Sequence, residues 1–207
     1  MRTFKHERHL RLSSWLALAA CMAIATTPLS ALAAPQTIQV TTDAGQPLVN
    51  AAVSVFVKGA KTTAAPGTIA DMAQKDKAFV PTLRVIQTGT LVNFPNFDTV
   101  RHHVYSFSAI KPFEIKLYAG TPTAPILFDK PGTATLGCNI HDRMLGYIHV
   151  VDTPYFGVTD ASGNVTLDLP HGEHRVRVWT AAMGEFKPGV EQAIKTGSAT
   201  VVVHVGP

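Results

Sequence analysis

The chain of 207 residues is 46% apolar and 15% charged, with a formal charge of +4 and two cysteines. That composition excludes a disordered or collagen-like chain and a disulfide-stapled miniprotein, and it allows one or two compact domains with real cores. The positive balance points to nucleic acid or an anionic membrane surface only if the charges belong to the working protein.

Most of them do not. Arg2, Lys5, Arg8 and Arg11 precede an apolar run over residues 12–25, the breaker Pro28 and the small-residue triplet Ala31, Leu32, Ala33. This is the order of a secretory leader (signal peptide, residues 1–33), with cleavage expected after Ala33. The run is too short for a comfortable membrane span. Leu18-Ala19-Ala20-Cys21 also resembles a bacterial lipobox, which would leave a lipidated Cys21, but the residues that follow stay apolar where a lipoprotein has a polar tether. With Glu7 counted, +3 of the formal +4 leaves with the leader, and so does Cys21. The expectation is an exported, periplasmic protein with no membrane span, no nucleic-acid partner and a single thiol, Cys138.

From residue 34 on the sequence predicts an all-β fold. Alternating or β-branched runs occur over residues 37–42, 52–57, 83–87, 90–94, 104–108, 113–117, 124–128, 133–137, 147–151, 165–169, 175–180 and 200–203, punctuated by proline and glycine. No stretch sustains a helical period, so many short strands at this spacing predict sandwiches or a barrel. The mixed charges Asp71, Lys75, Asp76 and Lys77 read as an exposed loop. A flexible run at 61–67 and Asp152-Thr153-Pro154 divide the chain into a central block, 67–152, and two β-rich flanks, 34–66 and 153–207.

The central block carries the chemistry. Cys138, His141 and Met144 stand three residues apart, directly after one predicted strand and before another. A loop joining two strands can fold a thiolate, an imidazole and a thioether toward one point. These are soft and intermediate donors, and a second histidine would complete the His₂Cys set with a weak axial methionine that holds type 1 copper. Zinc is the competing occupant, but methionine is a poor zinc ligand. An exported protein seldom keeps one unpaired thiol without cause. His102 and His103 are both candidates for the second imidazole, and strand alternation lets only one of them reach a metal readily. His171 and His174 share a turn and are expected to be solvated. No Ser-His-Asp order, phosphate loop or paired catalytic carboxylate stands out, so no enzymatic activity is expected.

The run from Gly89-Thr90 and Val92, through Phe94, Asn96, Asp98, His102 and Val104, to Phe128-Asp129-Lys130-Pro131-Gly132 and then C-x-x-H-x-x-M-x-G-x-I-x-V resembles the cupredoxins of the plastocyanin and amicyanin branches. The whole block is similar to bacterial proteins labelled methylamine utilization proteins. The resemblance implies a Greek-key β-sandwich binding one copper ion through His102, Cys138, His141 and Met144. It selects His102 because the ligand stands eight residues after the Phe of F-x-N and immediately before x-V. It places Asn96 and His103 among the groups that hydrogen-bond around the ligands, and Ile140, Leu145 and Gly146 on a docking rim beside His141.

The flanks, with the turn Asp43-Ala44-Gly45, then Thr159-Asp160 and Gly163, then Leu169-Pro170 and Gly172, resemble the start and end of a carboxypeptidase-regulatory-like (transthyretin/Ig-like) β-sandwich. That implies a discontinuous second sandwich, residues 34–66 with 153–207, into which the central block is inserted. The function implied is a periplasmic electron carrier between redox proteins, a dehydrogenase or a cytochrome. Copper storage or delivery, and a structural or adhesion sandwich, are the competing readings.

Overall fold

The computed structural model describes residues 33–122, 124–197 and 200–206; the leader and lipobox readings, on residues 1–32, lie outside the described residues. The first flank supplies β1 (Ala33–Thr42) and β2 (Ala52–Phe56). The central block supplies β3 (Ile69–Asp71), β4 (Ala73–Lys75), β5 (Ala78–Val80), β6 (Leu83–Gln87), β7 (Thr90–Asn93), β8 (His102–Ser106), β9 (Phe113–Tyr118), β10 (Ile126–Phe128), β11 (Gly132–Gly137) and β12 (Leu145–Val151). The last flank supplies β13 (Tyr155–Val158), β14 (Asn164–Pro170), β15 (Glu173–Trp179), β16 (Val190–Lys195) and β17 (Val201–Val205). The fold is all-β; among the described residues the one helical element is a 3₁₀ turn, Ala181–Met183. No helix among them is long and apolar enough to cross a membrane.

In the central block, a five-stranded sheet of order β6-β12-β11-β8-β9 faces the three-stranded sheet β10-β7-β3 and the β4-β5 hairpin. Strand alternation sends one set of side chains into the space between them. Val104, Ala134, Leu136, Ile148 and Val150 come from the larger sheet, and meet Val92, Phe128, Met72, Phe79 and Phe94 in one buried cluster. The flanks build a separate cluster. β1 pairs with β14 antiparallel and β17 parallel, and β2 lies between β13 and β15, so every strand of the first flank is paired with the last flank. Ile38, Val40, Val53 and Val55 pack there against Leu169, Val176, Val178, Ile194 and Val203.

The outer face of the five-stranded sheet is partly covered by the flanking sheets. Leu83 and Val85 of β6 and Val151 of β12 pack against Ala52 and Trp179, with Tyr147 and Phe156 alongside. Trp179 is fully buried, its indole N–H donates to the Gly184 carbonyl (3.0 Å), and its ring stacks on His149 at 5.0 Å and 15°.

The stretch from residue 71 to 77 departs from the loop that its charges predict. Ala73–Lys75 and Ala78–Val80 pair as a hairpin whose turn residues, Asp76 and Lys77, have φ of 54° and 57°. Two consecutive left-handed residues make the tight turn that matches strand twist, usually Asn-Gly. His174 is also less solvated than its turn predicts, since its Nε2 lies 2.8 Å from the Pro170 carbonyl.

His149 is buried between Thr133, 2.8 Å from its Nδ1, and the Trp179 ring. Burial, with the Arg177 guanidinium adding to it, pushes its pKa down from 6.5 to about 4. The unfolded chain therefore takes up this proton at a higher pH than the folded one, so stability falls as pH drops from 6.5 toward 4, by up to about 3 kcal/mol. Urea titrations across that range should show this loss in the native protein, and His149→Phe should flatten it. The hydrogen bonds that lower the Asp98 pKa from 3.8 act at lower pH and leave this window clear. Equal pH slopes in the two proteins would rule out His149 as the source.

Candidate metal centre

Two strand ends and one loop converge at one end of the central sandwich. β8 carries His102 and Val104 on its inner face, both fully buried, while His103, Tyr105 and Phe107 follow one another on the outer face. A β-bulge between His102 and Val104 shifts the register against β9 and sets His102 opposite Tyr118. β11 ends at Gly137, and its antiparallel partner β12 begins opposite, at Leu145. The seven residues between them close in two successive turns: His141 N–H donates to the Cys138 carbonyl (3.4 Å) and Met144 N–H to the His141 carbonyl (2.9 Å). Each turn brings residue i+3 back over residue i, which is why a three-residue spacing gathers these side chains.

Cys138 Sγ lies 3.8 Å from His102 Nδ1 and 3.7 Å from His141 Nδ1. The donor atoms of His102, Cys138 and His141 all fall within 4.8 Å of one another. Among the described residues this is the one such group of three or more His, Cys, Asp or Glu. Bonds of about 2.0 Å to nitrogen and 2.3 Å to sulfur, opened at 120°, separate their donor atoms by about 3.7 Å. The two edges at sulfur therefore match what His and Cys bonds to one ion would need. Met144 is buried in the same apolar cluster as Cys138. A thiolate, two imidazoles and a nearby thioether are a donor set that suits copper better than zinc.

The outer hydrogen bonds fix how His102 presents itself. Its Nε2 lies 2.7 Å from Asp98 Oδ2, so Nε2–H donates to the carboxylate and leaves the Nδ1 lone pair toward Cys138. Asp98 was among the residues of the F-x-N-x-D pattern, but no role followed from the sequence. The Lys77 N–H, more than any other group, holds its pKa below the ordinary 3.8; the His102 ring and the Asp76 N–H act in the same direction, and burial opposes them. Asn96 is buried; it donates to the carbonyls of Val100 (2.9 Å) and Tyr118 (3.2 Å) and accepts the Asp98 N–H (2.9 Å). His103 turns away from Cys138, and its Nε2 lies 2.9 Å from Glu114 Oε1. Tyr118 donates to the Phe94 carbonyl (2.8 Å); burial pushes its pKa up to about 12, the Gln74 hydrogen bond opposes that, and the Cys138 thiolate charge adds to it. It stays a neutral phenol.

Ile140, within the loop, and Leu145, at its end, are 47% and 48% exposed. Gly146 is not part of that surface. It is buried, and a Cβ there would lie 2.8 Å from Phe79 and 2.9 Å from Met72, so the residue is needed for close packing beneath the loop. The loop that leads to His102 exposes two apolar residues that the sequence reading passed over, Phe97 and Val100.

No protein-family model matches the sequence, and neither does any curated protein. Among solved structures the chain is similar to a purple cupredoxin from Nitrosopumilus maritimus, at 19% identity over 40% of this chain and 98% of that one, with a TM-score of 0.35. It is similar to amicyanin from Paracoccus versutus at 17% identity over 47% of this chain and 96% of that one, TM-score 0.34. A copper-containing nitrite reductase from Thermus scotoductus matches at 27% identity over 47% of this chain and 25% of that one, TM-score 0.36.

Gly146 offers a direct test of the packing beneath the loop. Gly146→Ala forces a methyl against Phe79 and Met72, two buried side chains with little room to move, and should cost about 1–3 kcal/mol in denaturant unfolding. A cost near zero would show that the site tolerates a looser floor.

Proposed function

We propose that this chain is a type 1 copper protein that carries single electrons between periplasmic redox partners. The observation that supports this reading best is the triangle of His102 Nδ1, Cys138 Sγ and His141 Nδ1, with edges of 3.8 and 3.7 Å at the sulfur, on a buried floor that includes Met144. Bound copper would supply a one-electron couple between Cu(I) and Cu(II). The residues of this chain would supply the rest: His102, Cys138, His141 and Met144 would hold the ion, and the two strand ends would resist rearrangement when its charge changes.

His141 is the least buried of the three ligands, and Ile140 and Leu145 flank it with exposed apolar surface. That suits brief docking through a small interface, as electron-transfer encounters use. The chain itself catalyses nothing in this reading; its partners, a dehydrogenase or a cytochrome, do. The paired flanks form a second sandwich that carries the inserted copper block, and the leader places both outside the cytoplasm, in keeping with the methylamine-utilization type that the sequence resembles.

The test is optical. Cu(II) added to the purified protein should give an intense visible thiolate-to-copper absorption, lost in Cys138→Ser and retained, with an altered reduction potential, in Met144→Leu. A colourless wild type, or colour that persists in Cys138→Ser, overturns the reading. Electron paramagnetic resonance of the same samples checks that the colour comes from one site.

A further inference from the structure

Building on the copper reading, we propose that Asp98 and the β4–β5 turn form a brace that locks His102 in its metal-ready tautomer and favours the oxidised ion. Three hydrogen bonds hold the Asp98 carboxylate, and a fourth holds its backbone N–H. Asp76 N–H donates to Oδ1 at 2.7 Å, Lys77 N–H donates to Oδ2 at 2.9 Å, Asn96 Oδ1 accepts the Asp98 N–H at 2.9 Å, and the His102 ring closes the set at 2.7 Å. The turn gives both of its central N–H groups to this one side chain. Both residues stand in the left-handed conformation that the tight hairpin turn requires.

The consequence for His102 follows from hydrogen-bond chemistry. A carboxylate only accepts, so Nε2 must carry the proton and Nδ1 must present its lone pair to the ion. A backbone carbonyl would fix the same tautomer, but it brings no charge. Asp98 adds a negative charge on the far side of the imidazole, which stabilises Cu(II) more than Cu(I). Its own backbone anchors reach it through the turn, so the charge cannot swing away when the copper charge drops. Asp98 is therefore a positioning residue that acts through His102, and the side chains of Asp76 and Lys77 take no part.

Two variants separate these roles. Asp98→Asn keeps an acceptor and removes the charge; it should keep the visible colour and shift the couple toward Cu(I) roughly tenfold, about 59 mV for one electron. Asp98→Ala removes the acceptor; in the metal-free protein long-range proton–nitrogen NMR should show His102 leaving its single Nε2–H tautomer, and Cu(II) affinity should fall roughly 10–100-fold. An unchanged couple in Asp98→Asn, or an Nδ1–H tautomer at His102 in the metal-free wild type, overturns the proposal. The tautomer measurement needs no metal and survives a poorly folded variant. A wild type that takes up no colour from Cu(II) overturns the copper reading instead, even with His102 locked as Nε2–H.

Discussion

The closure of β11 onto β12 governs the end of the molecule that carries Cys138 and His141. Gly137 and Leu145 face each other across the ladder, at the roughly 5 Å that antiparallel partners keep. Seven residues must leave one strand and return to the other within that span. Two tight turns are the available solution, and they point residues 138, 141 and 144 the same way. The inner face of the sheet then decides which way that is. Leu136 and Ile148 continue into the core, so Cys138 enters it as well, directly beneath His102 on the neighbouring strand. The placement of these three side chains is thus a by-product of strand register.

The same sheet explains the division of the chain. Its inner face builds the core that floors the candidate site, and the β6–β12 part of its outer face is roofed by Trp179 and the flanking strands. The roof ends before β8, where His103, Tyr105 and Phe107 lie in a row with ring centroids 5.8 and 5.0 Å apart. Tyr105 lies over Gly137, where a Cβ would sit 2.6 Å from its ring. The flanking sheets therefore stiffen one half of the sheet and leave the half next to Cys138 to its own aromatic cover.

Much of this was legible in the sequence, for stated physical reasons. Each of the twelve alternating runs overlaps a strand, because half-buried strands write their burial into a period of two. The spacing of Cys138, His141 and Met144 was legible because a loop with three-residue turns is a local device. What escaped was short or nonlocal. β3, β4 and β5 have three residues each, too few for a period, and Asp76 and Lys77 look like solvent-seeking charge until a carboxylate 21 and 22 residues away claims their N–H groups. β13 and β16 lack clean alternation because their facing partners, not their own residues, complete the burial. Gly146 reads as a loop glycine and is a core position, since nothing in its own neighbourhood announces Phe79 and Met72.

The place of β1 in its sheet has a consequence for how the molecule comes into being. It is the central strand, hydrogen-bonded on one side to a segment 129 residues later and on the other to one 163 residues later. Of the described strands it is synthesised first, and its partners come among the last. The strands of the central block, by contrast, find all their partners within residues 69–151. Long-range pairing is slow because its loop must close before any contact rewards it. The topology therefore sets two different tasks: the central block closes on partners near in sequence, whereas the first flank is completed only by strands at the far end of the chain.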